Sequence, residues 1–221
     1  MSRRSTASCP KRASLDLVEP PDSRDRESPR ADLELPIRTA CEAGDYATAI
    51  TKALQLYGTE LVGFLRALSG NHDLAADAFA ELGEDVWRSL PAFRWTSSLR
   101  SWLYVIARNS LNQLRRDPRR RVDRNLPLSV APDVEQVLRT ATRDIQRTEV
   151  KDEFRVLREE LDPEEHELLL LRLDRELSWK EIARITGGAD EDLDTRAAAL
   201  RKKFERAKER LKKLAIDRGL I

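Results

Sequence analysis

Apolar residues in this chain recur every third or fourth position over stretches long enough to make whole helices. No segment of useful length alternates at every second position. That period matches the helical turn and excludes a half-buried sheet. Glycine is scarce, while Ala, Leu, Arg and Glu dominate, which favours helices again. The expected fold class is all-α: two small helical domains joined by a linker. No repeat of solenoid period appears.

Residues 1–32 are expected to be a disordered extension. Ser2, Ser5, Ser8, Ser14, Ser23 and Ser28 alternate there with Pro10, Pro20, Pro21 and Pro29. Such a stretch buries too little apolar surface to offset chain entropy. A first helical domain is expected over 33–116. Within it Leu54, Tyr57, Leu61, Phe64, Leu65 and Leu68 keep helical spacing, and Gly70-Asn71 ends the run. Asp73 is placed to cap the next helix, which runs to about Ser89, and Pro91 marks a break. Ser97 or Ser98 caps a further helix with an apolar side of Leu99, Trp102, Leu103, Ile106 and Leu114. It stops before Pro118.

Residues 117–148 are assigned to the linker. It carries Pro118, Pro127, Pro132 and a dense arginine run, with a helix resuming near Val134 and continuing to about Glu160. A second domain is expected over 149–216. It opens on Asp162-Pro163-Glu164-Glu165: an acidic cap, proline at the first helical position, and Glu165 as reciprocal partner. Ser178-Trp179-Lys180-Glu181 is a second capping box. It opens a short helix with Ile182, Ala183 and Ile185 inward, closed by Gly187-Gly188. A last helix, from about Thr195 to Ala215, has the stripe Leu200, Phe204, Ala207, Leu211 and Leu214.

Charge is informative only locally. The net charge is +1, yet from Arg94 to Arg124 nine arginines face two aspartates. Arg100, Arg108, Arg115 and Arg116 fall at helical spacing, and their forked donors suit phosphate. Phe93, Trp95, Trp102 and Tyr104 are interleaved, and aromatic faces stack on the bases of single strands. The bland alternative is a solvated basic face with Trp102 in the core. We expect Trp102 in the core, the arginine run on nucleic acid because few acids neutralise it, and Trp95 as the stacking residue.

The pair Ser178–Thr186 and Thr195–Ala215 reads as a helix-turn-helix with a basic second helix, or else as an ordinary amphipathic C-terminal helix. Asp77, Glu81, Glu84 and Asp85 make an acidic helix face. It suits solvent or a protein partner better than catalysis, since no histidine cluster, phosphate loop or nucleophile elbow accompanies it. Cys9 and Cys41 with His72 and His166 give no zinc spacing, so no metal, cofactor or catalytic residue is expected. No apolar run spans a bilayer and no secretory signal opens the chain. A cytoplasmic protein with neither membrane nor small-molecule partner is expected.

Several motifs resemble a known family. Trp87-Arg88-Ser89-Leu90-Pro91-Ala92-Phe93-Arg94, then Ser97 through Asn109, then Leu114-Arg115-Arg116, resemble region two of extracytoplasmic-function sigma factors, a group of the sigma-70 family. Leu161–Ile185 resembles region four, and Phe204–Leu211 its closing helix. The resemblance implies a factor that directs RNA polymerase core to promoter DNA and opens it without ATP, with an anti-sigma factor as a further partner class. It implies −10 contacts by Trp95, Ser97, Ser98, Arg100, Arg108, Asn109, Asn112, Arg115 and Arg116. It implies −35 contacts by Arg196, Arg201, Lys202, Lys203 and Arg206, and core-polymerase contacts by Asp77, Glu81, Glu84 and Asp85. Leu126–Pro132 would thread toward the polymerase active centre. Ala80 and Gly83 depart from the family's docking motif and Asn112 from a frequent aspartate. Asp190, Glu191, Asp192 and Asp194 lengthen the turn before the last helix. A helix-turn-helix regulator acting without polymerase, and a degenerate sigma-like interaction module, are the competing readings.

Overall fold

The computed structural model describes residues 31–117, 157, 160–187 and 192–219. Most of the expected N-terminal extension, with Cys9, lies outside the described residues. So do the linker after Asp117, nearly all of the helix resuming near Val134, Gly188, and the acids Asp190 and Glu191. Among the described residues every regular element is helical.

The first element of the N-terminal domain is α1, Ala31–Glu42. α2 spans Tyr46–Ser69. Asp45 caps it by accepting the Thr48 amide at 3.1 Å, and that side-chain bond holds the Asp45 carboxyl below its ordinary pKa. Gly70 closes α2 in the left-handed region, at φ 63°. α3 is His72–Ser89. Its cap is Asn71, not the expected Asp73. The extended backbone at Asn71 turns its side-chain oxygen onto the Leu74 amide, 2.9 Å away, while Asp73 already lies in the first turn.

After a 3₁₀ turn at Leu90–Ala92, α4 runs Leu99–Arg116 behind the cap Ser98. Its buried side is Leu99, Leu103, Tyr104, Ala107, Leu111 and Leu114. Trp102 and Ile106 flank that stripe and are only partly buried, so Trp102 is not the core residue that spacing predicts. The domain core joins α2, α3 and α4, with the Phe64 and Tyr104 rings edge-on at 4.9 Å. Each such fully buried large side chain contributes about 1.5–3 kcal/mol.

In the C-terminal domain α5, Pro163–Leu169, widens into a π-turn over Leu170–Asp174. Asp162 stands at the cap but makes no capping bond with its side chain. Glu165 does not reach back to it either, because Arg210 draws both carboxylates, at 3.4 and 2.8 Å. α6, Trp179–Thr186, has its capping box fully formed between Ser178 and Glu181. α7 runs Leu193–Asp217, starting before Thr195 because Asp192 caps it and accepts from the Asp194 and Thr195 amides. Its buried stripe is Ala197, Phe204, Ala207, Leu211 and Ala215, with Leu200 and Leu214 partly buried.

Trp179 meets Phe204 edge-on at 5.3 Å. The buried Arg172 lies over the Trp179 ring and donates to the Leu177 carbonyl at 2.9 Å, tying the turn between α5 and α6. Arg196 donates to the Thr186 carbonyl at 2.6 Å, so α7 is fastened to the end of α6. Gly187 is required there: a Cβ would stand 2.6 Å from the Ala183 carbonyl and 2.8 Å from the Arg196 side chain. The two domains share one continuous apolar core, with α6 against α4 and α5 against α2.

Candidate nucleic-acid interface

α4 carries the principal candidate surface. Ser101, Arg108, Asn112 and Arg115 stand at intervals of seven, four and three, which puts them on one side of the helix. Asn109 and Arg116 are exposed on the adjoining side. At the start of the helix, Phe93 and Trp95 of the preceding loop form an aromatic cluster with Trp102 of α4. Phe93 stacks on Trp102 at 4.7 Å and tilts against Trp95 at 5.0 Å. Trp95 has φ 57°, a left-handed conformation that costs a non-glycine residue energy. It is not a free ring in a polar loop as expected: it is partly buried, with the Arg38 guanidinium 5.7 Å over its face. Ser97 and Ser98 are partly buried beside it.

The N-terminus of α4 depends on a residue the sequence reading missed. Glu34 of α1 is buried, and its carboxylate accepts from the Leu99 amide at 3.2 Å, the Arg100 amide at 3.1 Å and the Tyr57 hydroxyl at 2.7 Å. These bonds satisfy amides that an isolated helix leaves without partners. Its partners lie 23 to 66 residues along the chain, so no local motif announces it.

The expectation that few acids neutralise the arginines fails at Arg100 and Arg108. The acids come from distant segments. Arg100 is bound to Glu60 of α2 and donates to the Arg175 carbonyl at 2.7 Å. Burial opposes its charge, but Glu60 outweighs that and the Arg100 pKa is raised. Glu60 also accepts from Tyr104 at 2.8 Å, and burial first, then Glu60, raises the Tyr104 phenol. Arg108 makes a forked pair with Glu167 of α5, at 2.6 and 3.1 Å. Arg115 donates to the Leu68 carbonyl at 2.6 Å, and burial lowers its pKa. Ser98 and Ser101 donate to one oxygen of Glu181, at 3.3 and 2.8 Å, while the other oxygen closes the capping box of α6. A cleft of about 340 Å³ at the domain junction is lined by Arg108, Asn112, Arg115, His166 and Glu167, among others.

α7 presents the second surface. Lys202 and Arg206 are exposed, opposite the buried Phe204. Ala198 and Ala199 extend the same outer face toward the helix start and were not singled out from sequence. The other expected contacts are engaged within the domain. Arg196 is the fastener to α6, Arg201 lies over the Trp179 ring at 5.8 Å, and Lys203 is paired with Glu164.

On α3 the acids Asp77, Glu81, Glu84 and Asp85 share one partly exposed side, and Asp85 is bound to Arg88 at 3.0 Å. Gly83 is buried, so it faces the domain core and not that acidic side, and Trp87 is exposed beside it. Among the described residues no group of three or more metal-ligating side chains occurs, and no helix is long and apolar enough to cross a membrane.

Residues 54–121, from within α2 to beyond α4, match the family model of sigma-70 region 2. The segment that carries the arginine-bearing α4 is therefore similar to sigma-70 region 2. The chain is also similar to a solved structure described as the sigma factor RpoE in complex with the anti-sigma factor NepR from Bartonella quintana. The identity is 19%, covering 83% of this chain and 96% of that one, with a TM-score of 0.48. No curated protein matches.

Proposed function

We propose that this chain is an initiation factor of the extracytoplasmic-function type, using α4 and its flanking loop on the −10 element and α7 on the −35 element. The observation that carries this is the side of α4: arginines, asparagine and serines in line beside the Phe93–Trp95–Trp102 cluster, all within the segment matching region 2. Forked donors along a helix follow a phosphate backbone, and an aromatic face holds an unstacked base. Opening then draws on binding energy for the separated strand.

On α7 the outer face of Ala198, Ala199, Lys202 and Arg206 suits entry into a major groove. The small residues allow close approach and the basic ones reach phosphate or base edges. The acidic side of α3 with the exposed Trp87 is the surface for polymerase core. A helix-turn-helix regulator would need the α7 face alone and leaves the α4 side unexplained.

The test is run-off transcription with purified core polymerase on genomic templates, starting with the DNA upstream of the chain's own coding sequence. Specific transcripts that require this protein are expected. Core that neither binds the protein nor starts transcripts with it would refute the assignment.

A further inference from the structure

α1 touches the loop ahead of α4 at both of its ends. Glu34 is buried and accepts from the Leu99 and Arg100 amides, where the loop passes into the helix. Arg38 stands four residues on, one turn further along the same side of α1, with its guanidinium 5.7 Å over the Trp95 ring. Neither residue falls within 54–121, the segment that matches region 2. Phe93 packs against the indole at 5.0 Å while Arg38 lies over its face, so a base stacking on that face has to share it with Arg38. We infer that Arg38 is a further strand-binding residue: its guanidinium and the Trp95 indole are the two walls of a slot that takes one unstacked base. This rests on the reading of Trp95 as the stacking residue.

Three features favour a slot over a simple cover. A guanidinium is flat and delocalised, and it stacks on bases as it does on aromatic rings. Two stacking steps of about 3.4 Å set such a slot at about 7 Å, so the guanidinium has to lift by only about 1 Å from its 5.7 Å over the ring. It is lightly tethered and can do so. Its Nε donates to Glu42 at 3.0 Å, in an ion pair whose side chains are 54% and 64% exposed, and solvent makes such a pair weak. The opposite wall is fixed instead. Trp95 is set in the left-handed region at φ 57°, within a loop whose far end Glu34 fastens to α1. Glu34 is in turn held by the Tyr57 hydroxyl at 2.7 Å, which keeps α1, and Arg38 with it, at the start of α4.

The experiment compares polymerase holoenzyme assembled with full-length wild type, Arg38→Ala, Arg38→Lys, Trp95→Gly and the double variant Arg38→Ala/Trp95→Gly. Fluorescence anisotropy reads affinity for a labelled single DNA strand carrying the −10 element of the promoter that run-off transcription identifies. Arg38→Ala is expected to unfold in urea as the wild type does, because its side chain is half exposed. It is expected to weaken strand binding about tenfold, and Trp95→Gly about as much. The double variant is expected to lose little beyond either single change, since both empty the same slot. Lysine keeps the charge but not the plane, so Arg38→Lys is expected to bind no better than Arg38→Ala. Additive losses of about a hundredfold in the double variant, or full rescue by lysine, would overturn the slot. So would Arg38→Ala binding as tightly as wild type, or tighter, while Trp95→Gly binds more weakly. Unchanged affinity in Trp95→Gly would instead remove the stacking reading of Trp95 itself, and the slot along with it.

Discussion

α4 and α7 are both long helices studded with basic residues at helical spacing, yet they keep different company. On α4 the guanidiniums of Arg100 and Arg108 are held by carboxylates from other segments, Glu60 within the domain and Glu167 from the other domain. On α7 the outer pair Lys202 and Arg206 stands exposed. Similar composition thus yields a covered face and an open one. The difference is tertiary, since neither helix carries enough acid of its own to account for it.

The sharpest way to break the comparison is to strip α4 of its support from within its own domain. Glu34→Ala leaves two amides and the Tyr57 hydroxyl facing a void. We expect a stability loss of about 3 kcal/mol in urea unfolding. A loss below about 1 kcal/mol would mean that Glu34 does not hold the start of α4. Next comes the open face. Lys202→Glu/Arg206→Glu should cut holoenzyme affinity for a −35 duplex by roughly a hundredfold, with a shallower salt slope and unchanged core binding. If that affinity holds, α7 reads DNA through some other side.

Trp95→Gly sharpens the contrast further. Glycine accepts φ 57° without strain, so the loop keeps its shape while the ring is lost. Strand opening, followed with a fluorescent base analogue, should fall about tenfold while closed-complex binding is nearly preserved. Equal losses in both would assign the ring to packing on Phe93. The smallest effect is expected at Glu164. Its bond to Lys203, then that lysine's charge, holds the carboxyl below its ordinary pKa. The contribution is present above the ordinary carboxylate pKa and lost as pH falls through the lowered one. After solvent screening it is worth a few tenths of a kcal/mol. Titration of the thermal midpoint against Glu164→Gln checks it.

Much of the fold was legible because its signals are local. The Ser178–Glu181 capping box, the Gly70 stop, the Ser98 cap and the stripe Phe204, Ala207 and Leu211 all act within a few residues. Local signals misled where two candidates competed. Asn71 took the cap assigned to Asp73 because backbone geometry, not residue type, decides which oxygen meets the amide. Arg210, 45 residues away, took Glu165 from its helix start. The site was less legible than the fold. The residue types on α4 and α7 could be named, but not Glu34 beneath them or the carboxylates above them. Those partners are set by how helices pack, and a linear pattern does not carry that.

The clasp between Arg196 and the Thr186 carbonyl, closed over Gly187, has a consequence for how such a chain can diverge. The angle between α6 and α7 is held by that rivet at the very end of α6. Substitutions elsewhere on the two helices can therefore accumulate while that angle stays where it was, whereas Gly187 and Arg196 can change only together.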